Sequence, residues 1–212
     1  MKNLSLFTLP LVIIAFFSCN SSPKKLPILG SREPVEKIVN GNKVIDTIYQ
    51  TIPNFSFINQ DSVIINQDSL NNSIYVADFF FTSCPTICPK MKTQLLRIYE
   101  RYAENDVIRI LSHSIDPTYD TPSVLKQYAT RLQVKSPRWN MLTGDKAAIY
   151  KLGEKSYMVT AQEDKNEAGG FVHSGAFILV DKNRHVRGIY DGTQEAEVNH
   201  LIEDIEILLL EK

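Results

Sequence analysis

Two cysteines four positions apart, Cys84 and Cys88, stand where an apolar run gives way to a helical pattern, in Phe79-Phe80-Phe81-Thr82-Ser83-Cys84-Pro85-Thr86-Ile87-Cys88-Pro89-Lys90-Met91. Thiols at the start of a helix sit in a positive potential, which favours thiolate, the form that attacks disulfides and binds soft metals. The spacing lets both sulfurs converge on one side of the turn, as a reversible disulfide or as two ligands to one ion. Pro85 and Pro89 hold the segment as an exposed loop; a fixed disulfide or two inert core thiols is the plainer alternative.

Of the four histidines, His173 stands between Gly169-Gly170 and a strongly strand-like run, Gly175 to Asp181. An imidazole delivered there could join the two thiolates in a trigonal site. Soft sulfur favours Cu(I) and the imidazole helps accommodate Cu(II), whereas zinc more often takes a fourth protein ligand, so copper is the expected metal. A lone histidine at a strand start also fills plain structural roles. His113, near Asp116, is a candidate fourth ligand or supporting group, set against a hydrogen-bonded loop histidine. His185 and His200 read as surface positions. Asp78, inside an otherwise apolar run, tunes the thiolates, caps a backbone group or makes a plain buried hydrogen bond. Asp116 and Asp120 shape a loop and a helix cap; they are a poor catalytic pair.

The elements that must position these groups follow from periodicity. Asn54–Ile58 and Val63–Ile65 form a hairpin across polar turn residues. Ile74–Thr82 is a central strand covered on both faces, and it delivers the cysteines. Met91, Leu95, Ile98, Tyr99 and Tyr102 then recur at helical spacing. Val107–Leu111 is the next strand; Thr121-Pro122 opens a helix through an N-cap and a first-turn proline. A short strand at Arg138–Leu142, a short helix through Ile149 and Leu152 and an edge strand at Tyr157–Thr160 come next. Gln162–Gly170 reads as a surface loop. Ser174–Asp181 and His185–Tyr190 make a hairpin, and Glu195–Leu210 is an amphipathic terminal helix. This order is a thioredoxin-like α/β layout: a central mixed β-sheet flanked by helices, with an added helix in the middle and an N-terminal β-hairpin extension. The loop before the strand at 175 then lies beside the cysteine turn, where thioredoxins place a cis-proline; no proline occurs from Val172 to Gly175. Thioredoxins carry Cys-x-x-Cys, and the wider gap here disfavours a general disulfide exchanger.

With 212 residues, the chain holds one core-bearing domain plus a terminal extension. Lys+Arg 23 against Asp+Glu 24, with no basic run, leaves no nucleic-acid footprint. Three cysteines are too few for a disulfide-stapled mini-fold or a four-cysteine zinc site. Residues 1–18 read as a signal peptide with an apolar Leu4–Phe17 core, too short for an ordinary spanning helix. Ser18-Cys19 fits a bacterial lipoprotein signal, in which Cys19 is acylated and anchors the chain to a membrane; Phe16 and Phe17 are bulkier than usual there, and an incidental Cys19 is the alternative. Residues 19–50 read as a flexible tether with a weak strand near Lys43–Tyr49, and 51–212 as the domain.

Four blocks together resemble the Sco (SenC) family of copper-handling, thioredoxin-like proteins linked to cytochrome c oxidase assembly: residues 81–89, Asp116 to Pro122, Trp139 to Gly144, and Val172-His173-Ser174. The resemblance implies that Cys84, Cys88 and His173 are copper ligands and that the two cysteines also form the redox-active pair. It further implies a membrane-tethered, periplasm-facing metallochaperone of the bacterial cell envelope. Its acceptor would be the dinuclear copper centre of cytochrome c oxidase subunit II, with a periplasmic copper donor and a thiol reductase as further partners. Thr86 departs from the pattern, since family members often carry an acidic residue there. Two other classes stay open: a thiol-disulfide reductase needing only Cys84 and Cys88, and a copper or redox sensor. A peroxidase is weaker, because no arginine lies close to Cys84 in sequence.

Overall fold

The computed structural model describes residues 25–164 and 171–211, with 161–163, 172 and 173 described through their backbone alone. Cys19 and the signal-peptide reading of 1–18 lie outside the described residues. The first elements are β1 (Arg32–Val39) and β2 (Asn42–Tyr49), an antiparallel hairpin that pairs Val39 with Asn42 across Asn40-Gly41. Both turn residues have positive φ, 53° and 80°, as a two-residue hairpin turn requires and as asparagine and glycine tolerate. A second hairpin, β3 (Ser56–Asn59) and β4 (Ile64–Asn66), matches the one read from the sequence.

The alternating part of the chain follows: β5 (Ile74–Phe80), α1 (Cys88–Arg101), β6 (Ile108–Ser114), α2 (Pro122–Leu132), β7 (Trp139–Thr143) and α3 (Lys146–Lys155). Then come β8 (Ala161–Glu163), β9 (Phe171–His173), β10 (Ala176–Val180), β11 (Val186–Asp191) and α4 (Glu195–Leu210). Seven strands form one mixed sheet in the order β11-β10-β5-β6-β7-β3-β4, with β5, β6 and β7 parallel and the other neighbours antiparallel. Every residue of β5 is buried, as its unbroken apolar run requires of a strand covered on both faces. α1 turns Cys88, Met91, Leu95 and Ile98 inward at spacings of three and four. Thr121 and Asp145 cap α2 and α3 through bonds from Val124 N and Ala148 N.

Three expectations need correction. Residues 25–49 are no loose tether. Arg187 of β11 donates to the carbonyls of Leu26 and Pro27, Leu29 N donates to Val186 O, and residues 32–49 are the β1–β2 hairpin. The buried guanidinium, which an alternating pattern hides, organises that segment. The strand expected at Tyr157–Thr160 is a bend with Met158 at φ 58°, because Tyr157 turns inward to meet the Tyr75 hydroxyl at 3.2 Å. β6 runs on through His113 and Ser114, three residues beyond the Val107–Leu111 strand expected from the sequence. No helix among the described residues is long and apolar enough to cross a membrane.

Candidate metal centre

The cysteine turn begins where β5 leaves the sheet. Cys84 N donates to Phe81 O at 3.2 Å, and Cys88 is the first residue of α1, followed by Pro89 in a first turn without a side-chain cap. Pro85 and Thr86 are exposed as expected, but both cysteines are buried, 9% and 5% exposed. The turn therefore shows its backbone to solvent and folds its sulfurs inward, because a thiol packs as a small apolar group. Cys84 Sγ lies 3.7 Å from Thr86 Oγ1, so Thr86 faces the site as a neutral hydroxyl.

The protonation of the pair differs from the helix-terminus argument. The Cys88 thiol is pushed well above the ordinary range, first by its hydrogen bond with Cys84, then by burial and the Cys84 charge, with a smaller contribution from Asp78; only a backbone bond at Phe81 opposes this. With its neighbour charged and its surroundings apolar, the second thiol of the pair resists ionisation, and the helix terminus does not outweigh that. A metal ion held by both sulfurs would supply a positive charge that favours their ionised form.

Asp120 fixes the approach to the turn. Its carboxylate accepts from Thr82 N at 3.1 Å, from Ser114 Oγ at 2.6 Å and from Thr82 Oγ1. Burial raises its pKa, against the lowering effect of those three bonds. Sequence reasoning gave Asp120 a loop-shaping role but missed its link to a residue two positions before Cys84. Two aspartates four positions apart in Asp116-Pro117-Thr118-Tyr119-Asp120 offered no signal as to which one turns inward.

His173 is placed by backbone. It closes β9, opposite Ala161. Two residues before it, the Phe171 ring packs on Phe81 with centroids 4.9 Å apart. Two residues after it, Gly175 has φ +67°, and a β-carbon there would stand 3.3 Å from Ile87 Cδ1. The backbone of His173 is thus bracketed by contacts to Phe81, ahead of Cys84, and to Ile87, between the two cysteines. Among the described residues, no three His, Cys, Asp or Glu side chains converge to hold a metal ion; the described donors are the two sulfurs, chemically suited to a soft ion.

The other candidates do not join the site. His113 is fully buried on the opposite face of the sheet from Cys88, stacked on Phe79 at 5.1 Å and edged by Phe55 and Phe57. Among the described residues neither ring nitrogen has a hydrogen-bond partner, and burial lowers its pKa to about 3. It is therefore a neutral core histidine, neither a fourth ligand nor a hydrogen-bonded loop residue. Asp78 accepts from Ser112 Oγ, which accepts from Trp139 Nε1 at 2.9 Å, and these three line one small void with Cys88 under α1. His185 is half-buried, 3.4 Å from Asp181 and against Tyr49, and His200 is exposed.

The sequence profile of the SCO1/SenC family matches residues 46–209. The SCO1 protein homolog of Bacillus subtilis (strain 168) is 30% identical over 167 residues, covering 78% of this chain and 86% of that protein. A crystal structure of a SCO1/SenC family lipoprotein from Bacillus anthracis str. Ames superposes with TM-score 0.69 at 28% identity, covering 75% of this chain and 95% of that one. BsSco, described as a member of the Sco family of cytochrome c oxidase assembly proteins with a disulfide switch, gives TM-score 0.67 at 30% identity over 76% and 95%. Bradyrhizobium japonicum ScoI with copper bound shares the fold, with TM-score 0.59 at 22% identity over 75% and 99%.

Proposed function

The chain belongs to the SCO1/SenC family, and from that premise we propose that it is a copper-binding chaperone whose cargo is held by Cys84, Cys88 and His173. The observation that carries this reading is the bracket around His173: Phe171 on Phe81 and Gly175 on Ile87 bring the backbone of a third donor to a turn already holding two sulfurs. Two sulfurs and an imidazole suit copper in either oxidation state. The sulfurs take up metal only when reduced. Forming the Cys84–Cys88 disulfide gives two electrons and two protons to an acceptor and removes both ligands. Redox state therefore gates loading, and a thiol reductase is the implied partner that reopens the site.

Delivery proceeds by ligand exchange, with an incoming thiol of the acceptor replacing one ligand at a time. The acceptor under this reading is the dinuclear copper centre of cytochrome c oxidase subunit II. Cys19, lipidated as the new N-terminus, anchors the domain at the surface of a membrane of the bacterial cell envelope, facing the periplasm. The likeness to a SCO1/SenC family lipoprotein supports that placement.

A thiol-disulfide reductase is the second reading, favoured by the disulfide switch of BsSco. Anaerobic competition for Cu(I) against a chelator separates the two, using reduced protein from Lys25 onward so that Arg187 keeps its backbone partners. One copper bound tightly, and weakened at least tenfold in both Cys84→Ser and His173→Ala, is expected. Weak binding indifferent to His173→Ala would overturn the three-ligand site and leave the reductase.

A further inference from the structure

The β1–β2 hairpin has no role in the site, yet it carries five of the twelve large apolar side chains exposed among the described residues: Ile38, Val39, Val44, Ile45 and Ile48. Ile38 and Ile45 are 76% and 75% exposed. The register places Ile38 and Ile45 on one face and Val39, Val44 and Ile48 on the other. Four of the five flank the Asn40-Gly41 turn, so each face of the distal half presents two apolar side chains, Ile38 and Ile45 beside Glu36 and Lys43, and Val39 and Val44 beside Lys37 and Asn42. A protein partner seated on a ribbon covers one face; a medium that surrounds the tip covers both. A lone two-stranded ribbon is also marginal in water.

The place where the hairpin leaves the domain identifies that medium. Its base is held by Gln50, whose Nε2 donates to Lys155 O at the end of α3, and by Tyr49 against His185 in the β10–β11 turn. This is the pole of the sheet opposite Cys84 and Cys88, and the segment following Cys19 docks there too, with Leu26 and Pro27 bound by Arg187. Seven peptide steps from Cys19 to Leu26 span at most about 25 Å. Eight residues of strand extend about 26 Å, so the ribbon is long enough to reach back to whatever holds Cys19.

We propose that the β1–β2 hairpin is a membrane-contacting finger, its Asn40-Gly41 tip and flanking Ile38, Val39, Val44 and Ile45 lying in the head-group region of the bilayer. The inference rests on the lipid-anchor reading of Cys19. The charges along the ribbon pair with one another, Lys37 with Asp46 and Lys43 with Glu36, so the contact is apolar and insensitive to salt. Finger and anchor together hold the pole bearing the cysteines away from the lipid.

The test uses the full lipidated chain bearing Ile45→Trp, on phosphatidylethanolamine and phosphatidylglycerol vesicles with brominated acyl chains. Trp139, buried in the core, supplies the background in the parent protein. The expected result is a blue shift and at least a twofold loss of the added emission, unchanged between low and high salt. If the protein sediments with vesicles but the added tryptophan is neither shifted nor quenched, the finger is overturned and the anchor stands; a dimer in that case assigns the ribbon to a second copy. A full chain that fails to sediment overturns the anchor, and the finger with it.

Discussion

Gly175 lies against Ile87, at a φ of +67° that strains any residue with a side chain: a β-carbon would crowd Ile87 Cδ1 at 3.3 Å and touch Thr193 Cγ2 at 3.5 Å. Ile87 sits between the two cysteines' ends of the turn, and Gly175 sits two residues past His173, so this contact sets the spacing between the turn and the loop. Gly175→Ala forces an L-residue into the left-handed region, at roughly 1–2 kcal/mol, or about 2–8 °C in melting temperature for a chain of this size. It also pushes the loop off the turn, and Cu(I) affinity should fall about tenfold or more. Adding Ile87→Val removes Cδ1. The double variant should recover copper affinity more fully than melting temperature, since the backbone strain remains; equal recovery of neither would show that the contact does not set the spacing.

Asp120 ties the cysteine turn to β6 through three accepted bonds, and its replacements should rank by what they leave unsatisfied. Asp120→Ala strands Thr82 N–H and two hydroxyls around a fully buried position, costing roughly 2–4 kcal/mol in urea unfolding. Asp120→Asn keeps one acceptor for the fixed N–H, and the hydroxyls can rotate to accept from its amide, so the loss should be about half as large. Alkylation of Cys84 in native conditions should accelerate in Asp120→Ala before global unfolding does. Unchanged alkylation would mean that the turn is held by something other than Thr82.

Much of this was legible in the sequence, for reasons that can be named. β5, α1 and the Thr121-Pro122 helix start are local patterns: an apolar run, a spacing of three and four, a cap. The expectation that His173 lies beside the cysteines rests on topology alone, since it stands 85 positions after Cys88 (173 − 88). The inward turn of Cys84 and Cys88, the aromatic enclosure of His113 and the grip of Arg187 on Leu26 and Pro27 were not legible. Each depends on side chains from three or more elements. A histidine beside Asp116 looks like a site residue until β6 extends through it and alternation sends it to the far face. An arginine in a strand looks solvent-facing until two carboxylates close over it.

His113 makes stability pH-dependent with a definite sign. Its pKa is lowered from 6.5 to about 3 by burial, so between those values the unfolded chain binds a proton that the folded chain refuses. Stability is therefore full above about pH 6.5 and falls on acidification by ~1.4 kcal/mol per unit, until the folded form also protonates. Urea unfolding at pH 7.5 and pH 5 should differ by about 2 kcal/mol from this residue alone. His113→Phe fills the same aromatic box without a titrating group or two unpartnered nitrogens, so that share of the difference should vanish. An unchanged pH dependence in His113→Phe would assign the acid sensitivity to other groups.

Arg187 is the bond between the N-terminal segment and the domain. Buried at 6% side-chain exposure, it pairs with Asp181 Oδ2 at 2.9 Å and with Glu211 Oε2 at 2.9 Å, while Nη2 and Nε reach Leu26 O and Pro27 O at 2.6 and 3.0 Å. Burial works to raise the Glu211 carboxyl, but Arg187 and Leu26 N–H override it and hold the pKa below its usual 4.5. A carboxylate lowered in the folded state contributes stability above the unfolded pKa and loses it as pH falls through the folded value. Arg187→Met removes the cation from between two carboxylates and leaves two carbonyls without their donor, at roughly 3–5 kcal/mol, whereas Arg187→Lys keeps the charge and loses the fork. Releasing Leu26 and Pro27 should also open the chain at Lys25 and Arg32 to trypsin in the native state. With Cys19 as the proposed lipid anchor, the same release would lengthen the link between Cys19 and the sheet from seven peptide steps to as many as the stretch up to Gln50 allows. Arg187→Met should therefore lower the efficiency of energy transfer between membrane dye and protein-bound probe if the cysteine-bearing pole gains height. Rapid cleavage in Arg187→Met with slow cleavage in Arg187→Lys would show that charge is enough to hold the segment; equal, slow cleavage in both would show that the Leu29–Val186 backbone bond holds it without Arg187.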